Sequence, residues 1–210
     1  MALRQTAGRG RRGRSWFSAP GDSLTFSLLW RLPPDLPLAG LSLAVGVALA
    51  QALENMGITG VALKWPNDVL LNEGKLAGVL IEVVPGTSAV VIGIGLNLRL
   101  PRDMCEELRP RSAALVDALT PLPATSEVLA RLLTALYPVL SGFASEGFVP
   151  FRQAWLMRHA FQERTIHLLS DFSDPLQGIC RGVDTDGALL LETVTGLQRI
   201  ITGELSLRPA

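Results

Sequence analysis

The sequence contains little cysteine, little charge and no excess of charge of either sign. Cys105 and Cys180 are its only cysteines, and they lie too far apart to form a CxxC pair. We therefore expect neither a disulfide framework nor a cysteine-based metal site, and the two thiols fit the reduced state of a cytoplasmic protein. The 19 basic and 19 acidic residues cancel. Net charge thus gives the whole molecule no attraction to nucleic acid or to a membrane surface.

Long uninterrupted hydrophobic runs are also missing. The most apolar stretch spans residues 36–53, and Pro37, Gly40, Gly46 and Gln51 interrupt it. This pattern favours a buried core helix over a membrane span. The N-terminus is polar and basic with no apolar stretch behind it, so we expect no secretory signal. With 48% hydrophobic and 18% charged residues, the composition is that of a globular protein with one large core, or a medium domain plus a small one.

Hydrophobic periodicity and turn residues predict an α+β fold. The first part is expected to be a mixed or antiparallel sheet packed by helices. Its predicted strands lie at 24–32, 61–65, 69–71, 75–84 and 89–98, and its long helix lies at 38–56. After a Pro-rich stretch, two further helices are predicted at 126–146, with Ser126 as N-cap, and at 148–161.

The C-terminal part of the chain has a different pattern. Short strands are separated by turns predicted at 173–175, 184–187 and 195–196. Short strands at such regular spacing suggest a small β-barrel. We therefore divide the chain into a first domain, residues 1–162, and a second domain, residues 163–210.

Arginine and glycine dominate the N-terminal segment. Five arginines occur within the first fourteen residues, namely Arg4, Arg9, Arg11, Arg12 and Arg14. Residues 8–13 fit the pattern G-x-G-x-x-G, but no predicted strand precedes them and no helix follows, so a dinucleotide fingerprint is poorly supported. A solvated basic tail or an arginine-rich arm for nucleic acid is an alternative. The remaining interpretation is an anion-binding loop, because arginine binds carboxylate and phosphate oxygens and glycine admits close backbone approach.

Lys64-Trp65-Pro66-Asn67-Asp68 forms the turn at the end of a predicted strand. Lys64 alone would be read as a surface lysine, but the five residues together are a specific pattern. Lys75 heads the returning strand, so strand–turn–strand geometry brings it back near Asp68. Residues 93–97 (GIGLN) give a softer signal. They fit either a glycine-bearing strand near a bulge or a backbone that a ligand approaches closely, with Asn97 at the strand's end.

Together these segments resemble the biotin–protein ligases. Residues 5–16 (QTAGRGRRGRSW) are similar to the biotin-binding loop of that family. The segments KWPND, KLAG and GIGLN follow in the family's order. Residues 182–191 and 203–208 are similar to its C-terminal module. The resemblance covers nearly the whole chain, and it implies a class II synthetase-like catalytic domain followed by a small SH3-like β-barrel.

The resemblance also implies an activity and a set of site residues. The activity is ATP-dependent ligation of biotin, through biotinyl-5′-AMP, to a lysine of a biotin carboxyl carrier protein or domain of acetyl-CoA carboxylase. Mg²⁺ would accompany ATP, and no protein metal site is implied. The implied biotin-binding residues are Gln5, Arg9, Gly10, Arg11 and Lys75. The implied adenylate-binding residues are Arg11, Arg14, Trp16, Lys64 and Asn97, with Trp16 near adenine. The implied catalytic residues are Arg11, Lys64, Asp68 and Lys75, with Asp68 orienting or deprotonating the incoming lysine.

The N-terminus departs from the family pattern. The family has a strand and a Ser/Thr-rich turn ahead of the position of Gln5, whereas this sequence starts at Met1, and Met1-Ala2-Leu3-Arg4 replaces a usual acidic residue. We interpret this as a start codon placed too late or as a remnant with impaired activity. No DNA-binding domain precedes the catalytic part, so we expect no repressor function and no DNA partner, and a homodimer is one option for assembly. Three alternatives stay open: a non-catalytic biotin- or carrier-binding fragment of the same fold, a lipoate–protein ligase relative, and a nucleic-acid-binding module.

Overall fold

A computed structural model of the chain describes residues 1–101, 107, 109–170, 176–201 and 205–209. Its first sheet has five antiparallel strands in the order β1-β5-β4-β3-β2. These strands are β1 (Ser23–Arg31), β2 (Val61–Lys64), β3 (Asp68–Leu71), β4 (Gly74–Val83) and β5 (Ala89–Asn97). The helices are α1 (Leu41–Glu54), α2 (Thr125–Glu146) and α3 (Arg152–Leu156). The second sheet, also antiparallel, contains β6 (Thr165–Ser170), β7 (Leu176–Val183), β8 (Leu189–Thr193), β9 (Gly196–Ile200) and β10 (Leu205–Pro209).

The first sheet has one core face and one open face. In β5 the apolar residues Ile92, Ile94 and Leu96 are buried on the core face, and Gly93 and Gly95, which alternate with them, belong to the other face. Helix α1 covers the core face, and eleven of its fourteen residues are buried. A helix that is apolar all round belongs in a core. The expectation of a buried core helix within residues 36–53 is therefore confirmed.

Helix α2 packs against α1 through one stripe of side chains. The buried residues of α2 are Val128, Leu132, Leu136, Val139, Leu140 and Phe143. Their spacing of three and four residues is that of an amphipathic helix with one face on a core. By length and composition alone α2 is also apolar enough to cross a membrane, but a single such helix is weak evidence, since core helices meet the same criterion.

Two predicted helix features are wrong. The helix expected at 148–161 is only a 3-10 turn at Val149–Phe151 followed by α3. Beyond it the chain pairs with strand β2 at the sheet edge: the Leu63 N–H donates to the Arg158 carbonyl at 2.6 Å, and the Ala160 N–H donates to the Leu63 carbonyl at 2.9 Å. The chain leaves the helix here because its backbone groups pair with the otherwise unpaired edge of β2.

The second error concerns the N-cap of α2. Helix α2 begins at Thr125, and its N-cap is Ala124, whose carbonyl accepts hydrogen bonds from the N–H groups of Glu127 and Val128. Ser126 therefore lies inside the first turn, where its hydroxyl cannot serve as the cap.

The predicted α+β class, with an antiparallel sheet packed by helices and a small β module after it, is confirmed. The second sheet has the strand order β10-β6-β7-β8-β9. Within the part of the chain that the structure describes, this sheet is open, so the closed barrel expected there is not seen. The predicted turn at 173–175 and Cys105 lie outside the described residues. The boundary between residues 162 and 163 stays a prediction.

A buried histidine joins the segment after α3 to the second sheet. His159 is 8% exposed, and its ring lies 4.4 Å from the Trp155 ring, centroid to centroid. Its Nδ1 is 3.3 Å from Gln162 Oε1, and its Nε2 is 3.7 Å from Cys180 Sγ. Burial lowers the pKa of His159 from 6.5 to about 4. Burial also raises the pKa of Cys180 to about 11, so this cysteine stays a neutral thiol.

We expect His159 to make the fold sensitive to acid. Below pH 6.5 the unfolded chain protonates this histidine, whereas the folded chain does so only near pH 4, so stability falls as the pH drops through this window. The full loss is about 3 kcal/mol by linkage. Urea unfolding of the parent and of His159→Gln between pH 7 and pH 4 measures it. His167→Gln is the matched control, and an equal pH dependence in all three proteins would contradict the expectation.

Candidate active site

A bulge in β4 places Lys75 on the open face of the first sheet. Val69 pairs with Ala77, but the next residue, Leu70, pairs with Lys75, so Leu76 is one extra residue on β4. Side chains alternate along a strand, and an extra residue reverses the alternation. The bulge therefore puts Lys75 and Gly78 on the same face, although they are three residues apart.

On the open face of the sheet, a row of residues runs across four strands, and the two middle residues of this row are glycines. Across four neighbouring strands the register aligns Thr25, Gly95, Gly78 and Asp68. We call Gly78 and Gly95 the glycine floor. Because neither residue has a Cβ, groups above the sheet can approach its backbone closely.

Lys75 and Asp68 form an ion pair beside the glycine floor. Lys75 Nζ lies 2.7 Å from Asp68 Oδ1, and the two side chains are 37% and 18% exposed. The ammonium also lies 5.9 Å from the centre of the Trp16 ring. The sequence prediction that Lys75 returns to the Asp68 turn is confirmed. The chain has only two lysines, Lys64 and Lys75, against 17 arginines, and both lysines border the same cleft.

The Lys64–Asp68 turn is anchored by Trp65 and Asn67 in its middle. The Trp65 indole is 2% exposed, and its Nε1 donates a hydrogen bond to the Gly187 carbonyl of the second sheet at 3.0 Å. The Asn67 amide donates to the Val79 carbonyl at 2.8 Å. With the middle of the turn fixed on both sides, Lys64 and Asp68 at its ends are held at the edge of the cleft.

The glycine- and arginine-rich segment is a short hairpin over this cleft. The Gly10 N–H donates to the Arg14 carbonyl at 2.7 Å, and the Trp16 N–H donates to the Gly8 carbonyl at 2.9 Å. Gly13 adopts φ +69° at the tip, a conformation that favours glycine. The hairpin is tied to the sheet by an exposed ion pair between Arg9 and Glu82 at 3.4 Å. Such an exposed pair contributes only roughly 0–1 kcal/mol to stability.

Trp16 lies directly on the glycine floor. A Cβ added to Gly95 would lie 2.4 Å from two carbons of the Trp16 indole, so no side chain fits there. Trp16 Nε1 is buried and has no hydrogen-bond partner within the described residues. One of the two interpretations of residues 93–97 is a backbone that a ligand approaches closely. In this structure the group that approaches Gly95 is the Trp16 indole.

Asn97 ties two walls of the cleft together. Its amide nitrogen donates to the Lys75 carbonyl at 3.1 Å and to the Ala113 carbonyl at 3.0 Å. The Ala113 N–H in turn donates to the Lys75 carbonyl at 2.9 Å. Both hydrogens of the Asn97 amide are thus committed to the backbone, and the segment before Ala113 is fixed beside Lys75.

We expect Asn97→Ala to destabilise the fold by about 1–3 kcal/mol, because the Ala113 carbonyl loses its side-chain donor in a partly buried place. Urea unfolding measures the change. Asn55→Ala, which removes an exposed asparagine after α1, sets the background. Equal stability of the two variants would show that the Asn97 hydrogen bonds contribute nothing.

All site residues predicted from the sequence line one cleft of about 1370 Å³. They are Gln5, Arg9, Gly10, Arg11, Arg14, Trp16, Lys64, Asp68, Lys75 and Asn97. This volume exceeds the roughly 300–1,000 Å³ that is usual for pockets that bind one small molecule. The structure brings these ten residues together, while their individual roles stay predictions.

The cleft concentrates positive charge in a chain whose net charge is zero. Among its described lining residues are eight basic ones, Arg9, Arg11, Arg14, Lys64, Lys75, Arg99, Arg111 and Arg164. The acidic ones are four, Asp22, Asp68, Glu73 and Glu82. Cations gathered in a cleft attract anions and stabilise negative charge that develops there. The arrangement suits a ligand with carboxylate or phosphate groups.

Some cleft residues were missed by sequence reasoning. Phe161 and Arg164 come from the segment after α3, and the Arg164 guanidinium and the Lys64 ammonium lie 5.6 and 5.9 Å from the centre of the Phe161 ring. No local pattern marks these two residues. Thr25 could have been found from the sequence. It is a polar residue between the apolar Leu24 and Phe26, so in a strand it belongs to the face opposite to theirs, which is the face of the cleft.

The chain is similar to known proteins along its whole length. Residues 1–98 match the biotin/lipoate A/B protein ligase family, and residues 164–208 match the biotin protein ligase C-terminal domain. The biotin–[acetyl-CoA-carboxylase] ligase of Paracoccus denitrificans is 35% identical over 98% of this chain and 88% of its own length. The bifunctional ligase/repressor BirA of Salmonella typhimurium is 38% identical over 100% of this chain, which spans 66% of that relative.

A solved structure has the same architecture. The biotin protein ligase from Aquifex aeolicus, in complex with biotin and ATP, matches with a TM-score of 0.88 at 32% identity, over 99% of this chain and 87% of that one. Two family models, relatives at this identity and this structural match agree with each other. The chain belongs to the biotin–protein ligase family.

Proposed function

We propose that this chain is an ATP-dependent ligase that joins biotin to a lysine of an acceptor protein through biotinyl-5′-AMP. The observation that carries the proposal is the Lys75–Asp68 ion pair beside the glycine floor, at the centre of a cation-lined cleft. In the Aquifex aeolicus relative the bound molecules are biotin and ATP. Both are anions at neutral pH, and the charge of the cleft suits both.

In the first step a biotin carboxylate oxygen attacks the α-phosphorus of ATP, and pyrophosphate leaves. Negative charge grows on the phosphate oxygens, so cations already fixed in place lower the barrier. Lys75 supplies one such charge from the sheet, and Arg9 and Arg11 supply others from the hairpin. Gln5 and Gly10 complete the biotin side of the cleft. Hairpin closure excludes water from the reactive mixed anhydride.

The adenylate half is assigned to Arg11, Arg14, Trp16, Lys64 and Asn97. Trp16 offers an aromatic surface for adenine. Asn97 contributes by positioning the walls of the adenylate half, since its amide hydrogens are bonded to the Lys75 and Ala113 carbonyls. No group of three or more His, Cys, Asp or Glu side chains able to hold a metal occurs among the described residues. The Mg²⁺ that ATP chemistry calls for would therefore be bound mainly by the ATP phosphates, as Mg²⁺ usually is.

In the second step the acceptor lysine amine attacks the acyl carbon, the bond to the phosphate oxygen breaks, and AMP leaves. The amine must lose a proton. Asp68 Oδ1 would lie 3.8 Å from a Cβ at Gly78, and this closeness to the floor supports assigning to Asp68 the orientation of the amine and the removal of its proton. Its contact with Lys75 means that one ion pair serves both steps.

The acceptor is assigned to a biotin carboxyl carrier protein or domain of acetyl-CoA carboxylase. The Paracoccus denitrificans relative, whose name specifies this acceptor, supports the assignment. We further propose a cytoplasmic location and no DNA partner, with a homodimer as one option for assembly. Gel filtration and a DNA-binding assay over a range of salt concentrations test the last two points, because phosphate contacts weaken steeply with salt.

Pyrophosphate release tests the proposed function. The chain is incubated with ATP and Mg²⁺, with and without biotin, and a parallel reaction contains lipoate. Release that requires biotin supports the proposal. Release with lipoate alone would assign the chain to the lipoate ligases. Biotin binding by calorimetry without any release would identify a non-catalytic binding protein.

A further inference from the structure

The second sheet contacts the Lys64–Asp68 turn through one buried hydrogen bond. Trp65 Nε1 donates to the Gly187 carbonyl at 3.0 Å, and both residues are buried. Gly187 lies in the tight turn between β7 and β8, where it adopts φ +83° and donates its N–H to the Asp184 carbonyl at 3.0 Å. The contact joins residues 122 positions apart in the sequence.

The contact leaves no spare room. A Cβ on Gly187 would lie 2.8 Å from Gly40 Cα and 3.0 Å from Leu43 Cδ1, at the start of α1. The same end of α1 holds the turn from its other side, since Ser42 Oγ donates to the Pro66 carbonyl at 3.0 Å. The turn is thus fixed at two adjacent residues, once by α1 and once by the second sheet.

We propose that Trp65 and Gly187 are positioning residues for the adenylation step. They set the place of Lys64 and Asp68, which flank the anchored residues, so the C-terminal sheet determines the geometry of the catalytic turn. The inference rests on the proposed function. Asp68 meets Lys75 at 2.7 Å. A shift of about 1 Å in such a constellation can lower a rate by about 100-fold.

The test compares Trp65→Phe, Gly187→Ala and Ser42→Ala in the full chain. Trp65→Phe keeps an aromatic ring but loses the N–H, and Gly187→Ala adds a methyl group that would press on Gly40 and Leu43, next to the Gly187 carbonyl that accepts from Trp65. Gly86→Ala is the matched control, because Gly86 has a similar φ of +72° with nothing within 4 Å of the added Cβ, and it does not line the cleft. Biotin-dependent pyrophosphate release gives kcat and the KM for biotin, and circular dichroism at the assay temperature gives the folded fraction.

We expect kcat to fall about 10- to 100-fold in Trp65→Phe and Gly187→Ala, with the KM for biotin changed less than about twofold. Ser42→Ala removes a hydrogen bond of the same length that is only partly buried, so it should show a smaller fall in kcat, and Gly86→Ala should match the parent. A methyl group that pushes Gly187 away from α1 also moves its carbonyl away from Trp65, so both substitutions should break the same hydrogen bond. The double variant Trp65→Phe/Gly187→Ala should therefore be no slower than the slower single variant.

Three results would overturn the positioning role: kcat values equal to the parent in folded variants, losses that only follow the unfolded fraction, or additive losses in the double variant. If Trp65→Phe does not fold, the positioning role is judged from Gly187→Ala and Ser42→Ala by their kcat and their folded fraction. A parent chain that releases no pyrophosphate would overturn the proposed function, whereas an active parent with unaffected variants would overturn the positioning role alone.

Discussion

Replacing Lys75 by methionine is expected to slow biotin-dependent pyrophosphate release by about 10²- to 10³-fold, the usual cost of removing one fixed donor from a site where negative charge develops. Methionine keeps the length and most of the volume of the side chain, so the cavity around it stays filled. The ammonium beside the glycine floor is lost, and Asp68 then faces the substrate phosphates without its partner at 2.7 Å. Steady-state kinetics of pyrophosphate release measure the change.

The substitution Asp68→Asn distinguishes the contribution of Asp68 from that of Lys75. It keeps the positive charge of Lys75, so adenylation should slow less than in Lys75→Met. Transfer from preformed biotinyl-5′-AMP to an acceptor should slow more than adenylation does, because this variant loses the carboxylate that we assign to the incoming amine. Arg131→Met is the control, since it removes an exposed ion pair with Glu127 on α2, remote from the cleft. A Lys75→Met enzyme within threefold of the control would contradict the account of the first step.

A methyl group on the glycine floor is expected to displace Trp16 and weaken adenylate binding at least tenfold. In Gly95→Ala the new Cβ would stand 2.4 Å from the Trp16 indole carbons, so the indole must move away from the sheet. The hairpin that carries Arg11 and Arg14 would move with it. Calorimetry with a non-hydrolysable biotinyl-adenylate analogue measures the affinity. Tryptophan fluorescence, compared with that of Trp16→Phe, reports whether Trp16 has become exposed.

Gly93→Ala is the matched control for this substitution. Gly93 lies on the same strand and the same face, but its added Cβ would meet Leu80 atoms at 3.5 and 3.7 Å, which is ordinary contact. We expect the fluorescence of this variant to match the parent and its affinity to change less than threefold. Equal effects of the two substitutions would mean that the position of Trp16 on the floor is irrelevant to binding.

Much of the fold could be predicted because its signals are local. The glycine and proline residues around α1 and the alternation in β5 mark their elements by themselves. That the ten proposed site residues line one cleft could be predicted because KWPND and the arginine-rich segment are specific motifs whose spacing resembles a family, while their roles stay predictions. The prediction that Lys75 meets Asp68 needed only strand–turn–strand geometry, and the structure confirms it.

The features that sequence reasoning missed depend on tertiary contacts. The bulge at Leu76 has no sequence signature, yet it determines which face Lys75 occupies. The segment after α3 leaves the helix because the edge of β2 needs a partner, and this also brings Phe161 to the cleft. The packing of Trp16 against Gly95 could not be predicted either, since the hairpin and β5 are about 80 residues apart in the chain.

The most direct measurement of the central claim is the intact mass of a biotin carrier domain after incubation with this chain, biotin, ATP and Mg²⁺. The account predicts that the domain gains one biotinyl group, that the gain requires ATP, and that Lys75→Met produces little of it in the same time. An unmodified carrier domain in the presence of the folded parent chain, or modification that proceeds equally well with Lys75→Met, would contradict it.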